Sequence, residues 1–509
     1  MDTKALRQKI LDLAIRGKLV PQDQNDEPAA VLLERIRTEK LQMVKDGKLK
    51  PKDIKNDTII FKGDDNLHYE KFSDGTVKCI EDEIPFEVPE GWCWTRLGSV
   101  FFTVTGSTPS TKDTSLYGID YPFYKPTDLD AGYKVFKSES TVSEKGYRSG
   151  RSLPPHSVLV TCIGATIGKT GYIHIAGICN QQINAILPNT DILSDYTYFC
   201  ICSQFEQQQI LMNSSATTLP ILNKSKFDNL LFPVPPHEQQ LLIVDKIRDL
   251  LTFVNKIQDN QGVLKDKIIA IKSKILDLAI RGKLVPQDPN DEPASVLLER
   301  IRTEKEELIK QGKIKRDKKE SVIFKGDDNS YYQDLPENWE ICSIMAIAEV
   351  DLGKTLDKNK NTGKFYPYLR SVNIKWNEID LSDIKEMQFE KDELQRYSII
   401  KGDLLICEGG DVGRCCIWSS DETIYYQNAL HRVRFHGGCE PKYFLYFMVY
   451  LEHTGYLKRI SNGVTIKHLT KTVLSTIPFM LPPLAEQKRI VDEIEKIFDT
   501  LDNIANQVA

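Results

Sequence analysis

No apolar run in this sequence approaches the roughly 18–20 residues that a membrane-spanning helix needs. The opening stretch, MDTKALRQKILDLAIRGK, is patterned as an amphipathic helix and lacks the solid apolar block of a signal peptide, so a cytoplasmic location is expected. Eleven cysteines include no Cys-x-x-Cys pair, and eight histidines show no ligand spacing. That excludes the usual zinc patterns and predicts reduced thiols and no bound metal, with Cys200, Cys202, Cys415 and Cys416 read as small buried residues. Charge of one sign is also scarce. A formal net charge of −5 excludes a protein that coats nucleic acid nonspecifically, but not one that gathers positive charge locally. A complete phosphate-binding loop is missing too. VLVTCIGATIGKTGYI (158–173) runs from an apolar strand through glycines to Lys169 and Thr170, yet Gly164 and Gly168 enclose three residues where the nucleotide loop needs four.

What the chain does contain is repetition. At 509 residues it is too long for one ordinary core. KILDLAIRGKLVPQDQNDEPAAVLLERIRTEK (9–40) returns at 274–305 with changes only at Gln24/Pro289 and Ala30/Ser295, and IIFKGDDN (59–66) returns as VIFKGDDN (322–329). Weaker echoes keep the same order: VPEGWCWTRL (88–97) with LPENWEICSI (335–344), and FPVPPHEQQLLIVDKI (232–247) with FMLPPLAEQKRIVDEI (479–494). Internal repeats of this kind divide the chain into two tandem halves.

A helical seam joins them. Ile243, Ile247, Leu250, Val254, Ile257, Gln261, Leu264, Ile268, Ile271, Ile275 and Leu278 recur in steps of four and three, the a/d register of a coiled coil. Such a rod is roughly 54 Å long and needs a partner helix. Ile490, Ile494, Ile497, Leu501 and Ile504 repeat its first part, and Leu6, Ile10 and Leu13 its last part. The two termini together therefore rebuild the central helix. The expected fold is α+β: two mixed α/β domains separated by two antiparallel long-helix coiled-coil spacers in a pseudo-twofold arrangement. The expected boundaries are 1–84 (N-terminal spacer helix and hairpin segment), 85–235 (first divergent domain), 236–335 (central spacer helix and repeated segment), 336–483 (second divergent domain) and 484–509 (C-terminal spacer helix). Within the domains SVLVTCIG, GYIHIAG, GDLLICEGG and RCCIWSS read as strands. The prolines of FPVPP and FMLPP end each domain before its helix.

Aligning the halves sets TCIGATIGKTG over ICEGGDVGRCC, with Gly164 and Gly168 matched to Gly409 and Gly413 and Lys169 to Arg414. The hydroxyl that would hold magnesium becomes Cys415. Strand, glycines and a cation persist, which leaves a tight turn with a surface charge or a loop whose glycines let a basic residue approach a DNA backbone.

The duplicated helical segments alternating with divergent domains resemble the specificity subunit of type I restriction–modification enzymes. So do the PEGW-like opening, the GSTPS turn (106–110), the GATIGK loop and the PPHEQQ and PPLAEQKRIVDEI exits. The resemblance implies two target recognition domains, each reading one half of a bipartite DNA sequence across an unread gap. It also implies spacers that bind two modification (adenine-N6 methyltransferase) subunits, with motor–nuclease subunits completing the restriction complex. This chain has no Asn/Asp-Pro-Pro-Tyr/Phe motif to grip a flipped adenine, its Pro-Pro pairs being LPPH, VPPH and LPPL. It is therefore expected to be non-catalytic and without a cofactor, with S-adenosylmethionine, ATP and magnesium on the partner subunits. An inactive scaffold that serves recombination of specificity, and a structural coiled-coil or RNA-binding scaffold, are the alternative readings.

Base edges are read by amides, guanidinium groups and hydroxyls, with separate groups for phosphates. YPFYKPTDLD (121–130) and YPYLRSVNIKW (367–377) supply Lys125, Thr127 and Asp128, and Arg370, Asn373 and Lys375; the alternative is strand residues pairing with nearby loops. NQQINA offers Gln182, with Gln181 and Asn184 beside it, and YQNALHR offers Gln427 and Asn428, with His431 and Arg432 after them, against buried amides satisfying backbone. Thr218 and Lys224 correspond to Thr465 and Lys471 in late loops that suit phosphate clamps or plain solvated turns. Lys169 and Arg414 complete the DNA-contact candidates. Residues 85–235 hold 11 Lys and Arg against 12 Asp and Glu, and residues 336–483 hold 18 against 19, so neither domain should bind DNA strongly alone. The basic stretches 40–55 and 305–319 are expected to be solvated hairpins.

Overall fold

The computed structural model describes residues 2–215, 220–314, 335–356, 363–460 and 468–508. Thr218, Thr465 and the second FKGDDN copy lie outside them. The chain forms two compact units, residues 1–260 and 261–509.

Unit 1 begins with the helix Thr3–Ile15, capped by Asp2, whose carboxylate accepts from the N–H groups of Lys4 and Ala5. It ends at Gly17 (φ 64°), where Lys18 N–H returns to Leu13 O and Gly17 N–H to Ala14 O. The long helix His237–Ile280 ends the same way at Gly282 (φ 66°). At ~1.5 Å per residue it is roughly 66 Å long. Its first part lies antiparallel to the N-terminal helix. Arg7 donates to Asn255 and to Gln258 at 3.2 Å, while at the opposite end Trp92 Nε1 donates to Gln22 (3.0 Å) and to Gln239 (2.8 Å). Unit 2 repeats this with the last part of the long helix and the helix Leu484–Val508. There Lys272 meets Asp502 at 2.6 Å, Gln287 donates to Glu486 (2.5 Å), and Trp339 Nε1 donates to Glu486 (3.0 Å).

The seam buries Ile243, Ile247, Val254 and Ile268, but Ile271 turns outward at 44% exposure. A straight helix of 3.6 residues per turn drifts from a 3.5-residue repeat, so by this point the buried face has moved to Leu276, Ala279 and Ile280. Those side chains join the core of unit 2, as Ile10, Leu11, Ala14 and Ile15 join that of unit 1.

Each divergent domain packs on its helix pair through a buried helical layer, Ser194–Ile201 with Gln204–Asn213 in unit 1 and Pro441–His453 in unit 2. In unit 1 Arg248 on the long helix meets Asp195 at 2.5 Å. At the matching positions of unit 2, Glu495 meets Lys442 at 2.5 Å. The same latch is built with its charges reversed.

The strands form where β-rich runs lie between glycines. In unit 1 an antiparallel sheet runs Thr103–Thr105, Ile183–Ile186, Val158–Thr161, Thr170–Tyr172, in that spatial order. In unit 2 its counterpart runs Ala348–Leu352, Leu430–Phe435, Leu404–Cys407, Cys415–Ile417. A second sheet beside each contains Tyr117–Tyr124 or Lys364–Leu369. The exit strands Leu231–Val234 and Phe479–Leu481 pair with Cys93–Arg96 and Glu340–Cys342.

One expectation is corrected. Residues 40–45 and 305–310 are not hairpin but the last turns of helices Ala29–Lys45 and Ala294–Lys310. Lys40 is buried, with its Nζ donating to Asp57 (3.0 Å) and to the carbonyls of Gly98 and Ser99. The true hairpin strands follow at Ile59–Lys62, His68–Lys71 and Val77–Cys79.

Candidate nucleic-acid interface

The antiparallel order of each main sheet brings four chain segments to one edge. In unit 1 these are the turn after Thr105, the loop before Ile183, the loop after Thr161 and the residues before Thr170. The end of strand Tyr117–Tyr124 arrives at the same edge, because Asn180 N–H donates to Tyr124 O at 3.1 Å. Unit 2 repeats the contact with Gln427 N–H and Leu369 O at 3.0 Å. Ser107 N–H bonds Cys179 O (2.9 Å) as Lys354 N–H bonds Tyr426 O (3.1 Å), and Leu222 N–H bonds Cys162 O (2.8 Å) as Leu469 N–H bonds Glu408 O (2.7 Å). The same framework of loops is therefore assembled twice from divergent sequence.

Only glycine fits where the first turn meets the strand loop. A Cβ on Gly106 would lie 2.1 Å from Asn180 O, and one on Gly353 would lie 2.3 Å from Gln427 O.

This framework gathers most of the described candidates. Lys125 N–H donates to Asp128 Oδ2 (2.7 Å), and at the equivalent turn Arg370 N–H donates to Asn373 Oδ1 (3.0 Å). Asp128 also accepts from Ser138 Oγ (2.8 Å) and Glu139 N–H (3.1 Å). Asn373, 2% exposed, donates to Asp380 O (2.9 Å) and Asp383 O (3.2 Å). Asp128 and Asn373 thus hold their turns. Lys125 is exposed, reaching Ser140 Oγ at 2.8 Å, and Thr127 and Lys375 lie beside these turns, both exposed. Arg370 donates to the Asp383 carboxylate at 2.8 Å, and hydrogen bonds from Lys385 and Arg370 hold that carboxyl below its usual range. Lys125, Ser140, Thr108, Thr111, Thr141 and Asn180 line a cleft of about 430 Å³.

The loop with Lys169 corrects the alignment of the halves. Ile163 bridges Ile221 and Gly409 bridges His468, so Gly409 corresponds to Ile163, and Gly164 to Gly410. The backbone agrees: φ is 101° at Gly164, 86° at Gly168, 77° at Gly410 and 84° at Gly413. Three residues separate the left-handed glycines in one loop and two in the other, since the second loop is one residue shorter. The Thr170 hydroxyl turns inward to Gly168 O (2.9 Å), and Cys415 is fully buried, so neither side chain faces a bound nucleotide. Lys169 pairs with Asp130 at 2.6 Å. Arg414 donates to Ser371 O at 2.9 Å and lies 3.6 Å from Asp411. Burial pushes the neighbouring Cys407 thiol up, against the opposing pull of Arg414. The Nε atoms of Arg370 and Arg414 are buried without an acceptor.

Gln182 is turned into its own loop, its Oε1 accepting from Asn180 Nδ2 at 2.9 Å. Gln427 is half-buried, and Asn428 Nδ2 donates to Thr355 Oγ1 at 3.4 Å. Lys224 and Lys471 open the short helices Lys224–Asp228 and Lys471–Ser475, and Lys224 pairs with Asp228 at 2.5 Å. Thr108, Gln181 and Thr355 are not among the principal sequence candidates. Their signal is the Gly-x-Thr turn that precedes an Asn/Gln-rich loop in each half.

Away from this edge, His68, Glu81 and Glu87 form a compact group among the described residues. Its ligand atoms are already engaged: His68 Nδ1 lies 2.7 Å from Glu81, and Glu87 pairs with Lys62 at 3.0 Å.

A family model described as the type I restriction modification DNA specificity domain matches residues 89–263 and, a second time, residues 336–508. The chain belongs to this family. Its function is therefore that of a specificity subunit of a type I restriction–modification system, the part that recognises the DNA target. Similar relatives include the type I restriction enzyme EcoEI specificity subunit of Escherichia coli, 27% identical over 99% of this chain and 90% of that protein. The EcoAI specificity subunit, also of Escherichia coli, is 26% identical over 98% and 90%. Among solved structures, a chain described for complex assembly and conformational transition of the type I R-M system aligns with a TM-score of 0.57 at 17% identity, covering 83% of this chain and 94% of that one. The HsdS subunit from Thermoanaerobacter tengcongensis aligns at 0.50, with 17% identity and coverage of 84% and 93%. These structures share the fold. Specificity subunits act with methyltransferase and restriction subunits, and no helix among the described residues is long and apolar enough to cross a membrane.

Proposed function

We propose that this specificity subunit reads a bipartite DNA target, one half-site with each recognition domain, across a gap whose length the helix pairs set. The carrying observation is the loop framework assembled twice at equivalent sheet edges from divergent sequence. Two copies of one reading edge with different side chains suit two different half-sites. The chain itself is non-catalytic in this reading. It docks two modification subunits, which bring S-adenosylmethionine, and motor–nuclease subunits, which bring ATP and magnesium.

The electrostatics support shared binding. Lys169, Lys224, Arg370 and Arg414 each have a carboxylate of their own domain within 4 Å, so a phosphate must compete for them. Partner subunits then supply much of the phosphate neutralisation. If Lys169 and Arg414 contact phosphate, changing either to Ala weakens DNA binding similarly across sequences and lowers the salt slope by about one. Unchanged affinity in a folded variant assigns them to the turn alone.

The deciding experiment is methylated-base sequencing in a host carrying or lacking this gene. A two-part motif with a fixed gap, present only with the gene, is the expected result. A continuous motif, or none, rejects the reading. Calorimetry on the purified subunit tests the division of labour, since heat from S-adenosylmethionine binding would contradict a non-catalytic chain.

A further inference from the structure

We infer that Thr108–Gln181 in unit 1 and Thr355–Asn428 in unit 2 are matched base-reading pairs, each presenting an amide edge to an adenine in the major groove. This rests on the proposal that each domain reads one half-site.

Position comes first. Gln181 follows Asn180, whose N–H is anchored on Tyr124 O, and Asn428 follows Gln427, whose N–H is anchored on Leu369 O. The two amides therefore leave the same point of the same loop. Gln181 is exposed and Asn428 half-exposed at the shared edge. Gly106 and Gly353, where no Cβ fits, press the neighbouring turn against this loop and bring the threonine two residues later within reach of the amide.

The threonines orient the amides. The Thr108 hydroxyl donates to Gln181 Oε1 at 2.5 Å. In unit 2 Ala429 N–H donates to Asn428 Oδ1 at 2.5 Å, and Asn428 Nδ2 donates to Thr355 Oγ1 at 3.4 Å. An amide oxygen has two lone pairs and its nitrogen two hydrogens. Each amide thus keeps one acceptor site and at least one N–H for a ligand. A donor beside an acceptor matches N6 and N7 of adenine, the base that Asn and Gln read bidentately.

The neighbouring amides lack this combination. Gln182 is bonded to Asn180 and corresponds to Ala429, so the second domain has no counterpart. Asn373 is buried and bonded on both sides. The matched position keeps an amide in both domains and varies it by one methylene, which changes how far each reader extends.

The test maps methylated sites in cells producing the full chain with its modification subunits, so that the recognised sequence is read from the methylated bases themselves. Gln181→Ala should relax selectivity about tenfold or more at one A·T pair of one half-site, leaving the other half-site as an internal control. Asn428→Ala should do the same in the other half-site, and Thr108→Val should weaken selectivity at the position that Gln181→Ala affects. Gln181→Glu keeps the shape but only accepts, so it should shift preference at that position toward C. Wild-type preference at every position in these variants, or equal loss at both half-sites, overturns the inference. No motif in the wild-type complex overturns the recognition reading itself, a distinguishable result.

Discussion

At the scale of single residues, the structure separates side chains that face outward from those that build the edge. Arg370 and Asn373 lie three positions apart, and both match the chemistry of purine recognition. Yet Asn373 accepts the Arg370 N–H and donates to two carbonyls. Asn373→Ala strands buried backbone groups and should cost ~1–3 kcal/mol of stability. Arg370→Ala removes a pair whose carboxylate is 60% exposed, so its stability cost should stay within ~1 kcal/mol while recognition of one half-site weakens. Thermal denaturation beside half-site binding separates the two outcomes. Glu206 gives a second residue-scale prediction. It is fully buried against Cys200 and Gln209, and burial raises its pKa well above 4.5. The folded state therefore holds the proton more tightly than the unfolded state. Its contribution is complete below about 4.5 and is lost as pH rises toward the raised folded value. Glu206→Gln should gain stability relative to the parent between about pH 5 and pH 8, as measured by denaturant titration at both; a constant difference would mean that Glu206 is ionised in the fold.

At the scale of elements, the reversed latch explains how two similar halves keep each domain on its own helix. Asp195 opposes Arg248 and Lys442 opposes Glu495, so an exchanged packing would set Asp195 against Glu495 and Lys442 against Arg248. Both pairs are partly exposed, which limits each to ~0.2–1 kcal/mol. Glu495→Lys should destabilise unit 2 by about that amount, and adding Lys442→Glu should restore it, in a thermal-melt double-mutant cycle. Equal losses in the single and double variants would show that the pair adds nothing. The other elements follow from local chemistry. Gly17 and Gly282 end helices, and proline pairs separate exit strands from helix starts. The short glycine loops were legible as turns, but their relative register was not, because one deleted residue is invisible until Gly409 is seen bridging His468.

For the whole molecule, the helical seam makes the proposed ruler testable. Deleting Ile257–Val263 keeps the heptad register and shortens the long helix by ~10 Å, with Leu501–Gln507 removed from the C-terminal helix to match. At about 3.4 Å per base pair, the unread gap should contract by up to ~3 base pairs while both half-site sequences stay the same. Methylation mapping reads the gap directly. Methylation at sites with the original spacing would make the helices an assembly platform and not a ruler.

Repeats and periodicity determined the two-part plan, the long helix and the terminal fragments that match it, because these depend on residue spacing along the chain. The strands SVLVTCIG and GDLLICEGG were legible for the same reason. Which amide faces outward was decided only in three dimensions. Gln181 and Gln182 are adjacent and chemically identical, yet one meets Thr108 across a turn and the other folds back on Asn180. Composition also left Lys40 as one more charge in a basic stretch, and only packing buried it beneath two carbonyls and Asp57. A side chain's work at this edge depends on partners far away in sequence, which the pattern of neighbours along the chain does not specify.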